Sequence, residues 1–193
     1  MRMMTHYLLG ATILVFILQV LFGAPFNSFF SLTPSLLLQQ PWTLVTSMFL
    51  HGSVLHIFFN MFGLLMFGPF LESKIGRNNF LLVYFASGIL GSIGFAITSG
   101  FGNIPVVGAS GAIYGILGCL ALLQPNLTVL VFFFPMPIYM AAIFWFFIEF
   151  SNGIGDLQPG IANFAHVFGL VGGLLAGYYL KKKIIRKGHW LHE

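Results

Sequence analysis

Charged side chains are scarce in this chain of 193 residues, with four acidic and eight basic residues making up 6% of the total. A soluble domain carries about a quarter charged residues, so this composition excludes an ordinary soluble protein. The single cysteine, Cys119, excludes an intrachain disulfide and is interpreted as a small buried hydrophobic residue. What is abundant is hydrophobic sequence, at 58% of the chain. We therefore predict a polytopic membrane protein.

Six apolar segments approach or exceed the length of about twenty residues that a membrane-spanning helix needs. The predicted fold is an all-α bundle of six transmembrane helices, forming a single domain over residues 1–193. The first segment has no convincing cleavage site and is retained as a helix. The predicted spans cover residues 6–23, 54–71, 79–100, 108–124, 127–150 and 161–180.

Prolines interrupt two apolar regions. Between the first two spans, residues 24–53 contain three prolines, which prevent one continuous helix and predict short pieces lying half in the bilayer. Pro135 and Pro137 fall inside the fifth span and are expected to kink or loosen that helix.

Basic residues predict the orientation, because cytoplasmic flanks carry the excess of Lys and Arg. With six spans and a cytoplasmic N-terminus, all eight basic residues fall on the cytoplasmic side. We interpret the basic tail after the last span as a topology anchor, not as a nucleic-acid site.

Glycines predict which helices meet. They recur along one face of the fourth and sixth spans, where they allow close backbone approach in lipid. We therefore expect these two helices to pack against each other. The glycines are Gly111, Gly115 and Gly118 in the fourth span and Gly169, Gly173 and Gly177 in the sixth.

Polar side chains within membrane spans are functional hypotheses by default. The second, fourth and sixth spans run in the same direction, and each carries polar residues near its start. They are expected at similar depth, in the outer half of the bilayer. These residues are His56, Asn60, Ser110, Tyr114 and His166.

Their chemistry favours acyl transfer. A serine hydroxyl becomes a nucleophile when a base accepts its proton, and His166 is the candidate base for Ser110. Ser110 lies near a helix N-terminus, where backbone N–H groups, His56 and Asn60 could stabilise an oxyanion. No acidic residue is predicted at this depth, so we expect a Ser–His dyad, with Tyr114 packing on the His166 ring.

Alternatives remain at this point. Glycine-flanked serines and lone intramembrane histidines or asparagines often serve packing alone. His56 and His166 lack further ligands at metal-binding spacing, so we predict no metal and no cofactor. Glu149 and Asp156 are expected to meet water at the outer end of the fifth span, and His51 to be interfacial without a catalytic role.

The polar residues belong to three motifs, each at or within a separate predicted span: His51-x4-His56-x3-Asn60, Gly108-x-Ser110-Gly111 with Tyr114, and Ala165-His166-x-x-Gly169. In this order and topology they resemble the rhomboid intramembrane serine proteases, in a minimal six-span bacterial form. The resemblance implies that Ser110 is the nucleophile and His166 the base. It assigns the oxyanion hole to His56, Asn60 and the Ser110 backbone N–H, with Gly108, Gly111, Gly169 and Tyr114 in support.

Two further positions bear on the resemblance. Glu72 is similar to an acidic residue that is structural in that family. Many members carry Trp-Arg in the first outer loop, whereas here Trp42 is followed by Thr43.

The resemblance implies an endopeptidase that cleaves transmembrane segments near their outer ends, with substrate entering beside the fifth span. Its partners would be such segments and the lipid bilayer, with no nucleic acid. It would lie in a bacterial inner membrane, with both termini cytoplasmic and the site opening to the outer face. The alternative is a non-catalytic rhomboid-like protein that binds client helices. A small transporter would place its polar site at the midplane, whereas these residues cluster toward one face.

Overall fold

The computed structural model describes residues 3–131, 133–155 and 162–186. These residues form α-helices, one β-hairpin and two short 3-10 turns, at Pro34–Leu36 and Ser47–Phe49. The helices are α1 Met4–Phe30, α2 Thr43–Thr46, α3 Val54–Ile75, α4 Arg77–Thr98, α5 Ser110–Leu123, α6 Ile138–Gly155 and α7 Asn163–Arg186. The strands are β1 Thr128–Val131 and β2 Phe134–Pro137.

The helices confirm an integral membrane architecture. Within the described residues, α1, α3, α4, α6 and α7 are long and apolar enough to cross a membrane. Helix α5 is apolar but has 14 residues, about 21 Å at a rise of 1.5 Å per residue, which is shorter than the hydrocarbon core of about 30 Å. Most of its side chains are buried, Cys119 among them. The count of six spans therefore stays a prediction, and α5 is the central, enclosed helix of the bundle.

Residues 24–53 form no continuous helix, as their prolines predicted. Helix α1 breaks at Gly23, whose φ of 64° and ψ of −141° are non-helical, and then continues to Phe30. Leu32 next pairs with Val106 through two backbone hydrogen bonds of 3.1 and 2.8 Å. The segment is thereby tied to the loop that precedes α5.

The Trp42-Thr43 pair is anchored within this segment, although Thr43 stands where the resemblance suggests an arginine. Trp42 Nε1 donates to the Phe29 carbonyl at 2.9 Å. Thr43 is buried and donates its hydroxyl to the Gln40 carbonyl at 2.6 Å. The loop therefore holds its local shape through neutral hydrogen bonds.

The predicted helix over 127–150 is wrong in its first half. Strands β1 and β2 pair as an antiparallel hairpin in which Val131 pairs with Phe134, and the helix begins only at Ile138. Pro135 and Pro137 lie in β2. Proline lacks a backbone N–H and disfavours helical geometry in the residue before it, so two prolines at this spacing end the helical register instead of kinking it.

Helices α5 and α7 pack closely along their glycines, as predicted. At Gly169 and Gly173, an added Cβ would collide with a backbone carbonyl of α5, and at Gly177 it would lie 3.1 Å from one. Gly118 differs, because it faces the Leu170 backbone instead of a glycine. The facing pairs are Gly169 with Gly111, Gly173 with Gly115, and Gly177 with Cys119.

Helix α4 packs against both of these helices. At Gly91 an added Cβ would lie 2.6 Å from the Ala165 carbonyl of α7 and 3.6 Å from Gly111 of α5. The three helices α4, α5 and α7 thus form the rigid centre of the bundle.

Glu72, near the end of α3, holds the start of α1. One carboxylate oxygen accepts the Met4 N–H at 2.6 Å, and the other accepts the Thr5 N–H at 2.9 Å and the Thr5 hydroxyl at 2.8 Å. A carboxylate stabilises otherwise unpaired N–H groups at a helix N-terminus. Glu72 therefore has a structural position, as the resemblance implied.

Candidate active site

Ser110 and His166 meet although 56 residues separate them in sequence. Ser110 is the first residue of α5, and His166 lies in the first turn of α7. The Ser110 Oγ and His166 Nε2 atoms are 2.7 Å apart. The glycine contact between Gly111 and Gly169 lies within one turn of both residues, so the close approach of the two helices sets this distance.

Tyr114 packs against the His166 ring, as expected. The ring centroids are 4.6 Å apart and the planes are within 7° of parallel. The Tyr114 hydroxyl donates to Glu149 Oε1 at 2.6 Å. Tyr114 therefore restrains the imidazole and also contacts an acidic residue.

The expectation that no acidic residue lies near His166, and that Glu149 meets water, is wrong. Glu149 is 8% exposed, and its Oε2 atom lies 3.0 Å from His166 Nδ1. Because α6 starts eleven residues later than predicted and extends to Gly155, Glu149 lies in its interior and faces α7. Asp156 falls outside the described residues. A lone carboxylate in an apolar span is itself a functional signal, and that signal could have identified Glu149.

His56 and Asn60 lie on one face at the start of α3. The Ser53 hydroxyl oxygen caps this helix by accepting the His56 N–H at 3.1 Å, and Asn60 Nδ2 donates to the His56 carbonyl at 2.9 Å. A Cβ added to Gly108 would lie 2.8 Å from both Cε1 and Nε2 of His56 and 3.7 Å from Ser110 Oγ. Gly108 also has a φ of 127°. Only glycine suits this position, where the His56 ring lies over the backbone beside Ser110.

A cavity of about 640 Å³ joins these side chains. It lies between α3, α4, α5, α7 and the loop before α5, and its wall combines small, apolar and polar residues. Four of the five polar residues that were predicted to share one depth therefore line a single cavity. The fifth, Tyr114, is not part of the lining, because it packs against the His166 ring. The lining includes His56, Asn60, Ser110, His166, Gly108, Phe59, Met48 and Ala165.

His51, expected to be interfacial without a catalytic role, is buried among its neighbours in the bundle. It is 1% exposed, and its ring meets the His56 ring edge-on at 5.0 Å. Burial, and secondarily the neighbouring His56, lowers the pKa of His51 to about 4. The imidazole is therefore neutral at physiological pH, and it supports the His56 ring through this edge-on contact.

Gln19 of α1 holds the His51 backbone and was missed by the sequence analysis. Its side-chain amide donates to the His51 carbonyl at 2.8 Å and accepts the His51 N–H at 3.0 Å. A single amide inside an apolar span is a polar residue in lipid, and that signal could have identified it.

Metal binding finds no support in the described part of the chain, where no group of three or more His, Cys, Asp or Glu side chains is arranged to hold an ion. What the arrangement can do chemically is move a proton between Ser110 and His166 and present hydrogen-bond donors beside them.

Comparison with known proteins matches residues 38–183 to the family model described as the Rhomboid domain. YdcA of Bacillus subtilis (strain 168), a candidate rhomboid protease, is 36% identical over 148 residues, which cover 76% of this chain and 70% of YdcA. Rhomboid protease GluP of the same bacterium is 34% identical over 178 residues, 89% of this chain and 34% of GluP. Inactive RHOMBOID-like protein 8 of Arabidopsis thaliana is 33% identical over 131 residues, 67% of this chain and 35% of that protein. The chain thus matches only about a third of the length of the last two relatives.

Proposed function

The chain belongs to the rhomboid family, and from that premise we propose that it is a serine endopeptidase that cleaves transmembrane segments near their outer ends. The observation that carries the proposal is the 2.7 Å contact between Ser110 Oγ and His166 Nε2 at the wall of the cavity. A protease also appears by name among the relatives.

In the first step Ser110 Oγ attacks the carbonyl carbon of the scissile peptide, and His166 Nε2 accepts the hydroxyl proton. The products of this step are a tetrahedral intermediate with a negative oxygen and a protonated imidazole. The short Oγ–Nε2 distance supports this transfer, because a general base must lie within hydrogen-bond reach of the proton it takes.

The negative oxygen needs donors, and the start of α5 offers them. Ser110 is the first residue of that helix, so its backbone N–H lacks an intrahelical partner. His56 and Asn60 line the same cavity, and the Asn60 amide has a second N–H beyond the one given to the His56 carbonyl. Each well-placed donor is worth about 3–4 kcal/mol in acyl transfer.

Collapse of the intermediate breaks the C–N bond, and the proton on Nε2 passes to the leaving amine. The remaining acyl group stays on Ser110 as an ester. Water then attacks this ester, with His166 taking a proton from water and returning it to Oγ. The cavity supplies the space in which water reaches a site within the bundle.

We further propose a bacterial plasma-membrane location with cytoplasmic termini and a cavity open to the outer face. Lys74, Arg77 and Lys181 support this orientation, because they lie at the ends of α3, α4 and α7 remote from Ser110. Substrate would enter from the lipid beside α6, a helix that buries few residues in the bundle.

The test uses the full chain in detergent and in vesicles. A fluorophosphonate probe is expected to label the wild type but not Ser110→Ala, and wild-type protein is expected to cut single-span membrane proteins. His166→Ala is expected to lose cleavage while its thermal unfolding stays near that of the wild type. Equal labelling of wild type and Ser110→Ala would contradict the proposal. Binding of single-span proteins without labelling or cleavage would instead favour the non-catalytic alternative.

A further inference from the structure

Glu149 is an acidic residue within the membrane bundle that a Ser–His dyad does not require. Carboxylates inside spans are costly when the charge is buried without partners. Glu149 has partners at both oxygens: the Tyr114 hydroxyl at 2.6 Å from Oε1 and His166 Nδ1 at 3.0 Å from Oε2. The carboxylate is therefore directed at the imidazole that contacts Ser110.

We propose that Glu149 is a positioning residue that extends the dyad to a Ser110–His166–Glu149 triad, whose geometry Tyr114 stabilises. The inference rests on the proposed protease function and adds to it the group that orients and supports the base. The contacts run from Ser110 Oγ to His166 Nε2, across the ring to Nδ1, and on to Glu149 Oε2.

The first contribution of Glu149 is the choice of tautomer. An ionised carboxylate only accepts hydrogen bonds, so the imidazole nitrogen facing it carries the proton. With the proton on Nδ1, the lone pair of Nε2 points at Ser110 Oγ. The ring is then ready to accept the serine proton without rearrangement.

The second contribution is electrostatic. When Nε2 takes the serine proton, the imidazole becomes positive, and a negative carboxylate 3.0 Å away stabilises it. Tyr114 keeps the geometry by stacking on the ring while its hydroxyl holds the other carboxylate oxygen. The network is closed, because each member restrains the next.

The described titratable groups that face the His166 ring come from three helices. They are Glu149 of α6, Tyr114 of α5 and His56 of α3. Glu149 is the acidic one among them. Removing its charge leaves the imidazolium that forms in the first step without its nearest negative group, so that step should slow.

The test is Glu149→Gln, which keeps the size of the side chain but removes the charge. We expect kcat to fall by up to about 10⁴-fold, the loss that follows when the aspartate of a serine-protease triad is replaced by asparagine, with KM changed less than threefold. The fluorophosphonate labelling rate should fall in parallel. Glu149→Asp keeps the charge but withdraws it from His166, so its rate should lie between those of wild type and Glu149→Gln.

Glu72→Gln is the matched control, because Glu72 is also a buried carboxylate but serves the start of α1. It is expected to lower thermal stability while kcat of the folded protein stays at the wild-type value. Wild-type rates in folded Glu149→Gln, beside an inactive Ser110→Ala, would overturn the triad and leave the dyad standing. If Glu149→Gln does not fold, a wild-type rate in Glu149→Asp would likewise overturn the role of Glu149 and leave the dyad standing. Activity that persists in Ser110→Ala would reject the protease function itself.

Discussion

Replacing Gly173 by alanine tests the close contact between α5 and α7 that places His166 beside Ser110. An added Cβ at Gly173 would lie 2.6 Å from the carbonyl carbon and 2.7 Å from the Cα of Gly115, and closer still to the carbonyl oxygen. Backbone atoms cannot move aside as a flexible side chain can. The strain must therefore be relieved by moving one helix relative to the other.

The size of this movement follows from the distances. An unstrained carbon–carbon contact needs about 3.5 Å, so α7 has to retreat from the Gly115 Cα by roughly 0.8 Å, and farther still to clear the Gly115 carbonyl oxygen. His166 lies two turns earlier on the same helix, and the same retreat would stretch its 2.7 Å contact with Ser110 beyond hydrogen-bond range. Overpacking of this kind costs about 1–3 kcal/mol, and a displacement of about 1 Å at a reacting group costs on the order of 10²-fold in rate.

The assay compares three glycine-to-alanine variants by thermal unfolding in detergent and by fluorophosphonate labelling rate. Gly173→Ala should lower Tm by roughly 2–4 °C per kcal/mol and slow labelling about 100-fold. Gly177→Ala should have a smaller effect, because its Cβ would lie 3.1 Å from the Cys119 carbonyl. Gly10→Ala in α1 meets no atom within 4 Å and should match or exceed wild-type stability. Wild-type Tm and labelling in Gly173→Ala would refute the close packing of Gly173 in α7 against Gly115 in α5.

Two further predictions concern other residues. Glu72→Ala removes the acceptor of the Met4 and Thr5 N–H groups and should lower the free energy of unfolding by more than about 2 kcal/mol; an unchanged denaturant midpoint would contradict it. Because the pKa of His51 is about 4 in the folded state and 6.5 ordinarily, the unfolded state binds a proton first, and stability should fall as the pH drops from 6.5 toward 4. His51→Leu should flatten that decline in unfolding experiments, and an equal slope would count against the buried His51.

Much of the helical framework was predictable from hydropathy. The second and third spans, expected over 54–71 and 79–100, correspond to Val54–Ile75 and Arg77–Thr98. Long uninterrupted apolar stretches leave few alternatives in lipid, because every backbone group must be hydrogen-bonded within the segment. The prediction for the fifth span was wrong because of the same requirement for backbone hydrogen bonds. The sequence from Phe132 to Pro137 is apolar, but hydropathy does not register that Pro135 and Pro137 lack backbone N–H groups.

The candidate site was predictable to the extent that its residues are polar exceptions in apolar helices. Ser110, His166, His56 and Asn60 were selected on that basis, and the structure brings them to one cavity. Glu149 and Gln19 meet the same criterion but were not assigned to the site. A position in one span does not show which neighbouring segment its side chain faces. Glu149 contacts His166 of α7, and Gln19 bonds the His51 backbone before α3.

The amino-acid sequence was enough to predict the membrane class, most of the long helices, the glycine contact between the fourth and sixth predicted spans, and Ser110 and His166 as the candidate pair. These features depend on local composition or on spacing within one helix. The folded protein was needed to see that Glu149 lies against His166, that His51 is buried, and that a hairpin precedes α6. Each of these depends on where a helix begins and how it is rotated against its neighbours, which side-chain packing determines and the hydrophobic pattern of a single segment does not.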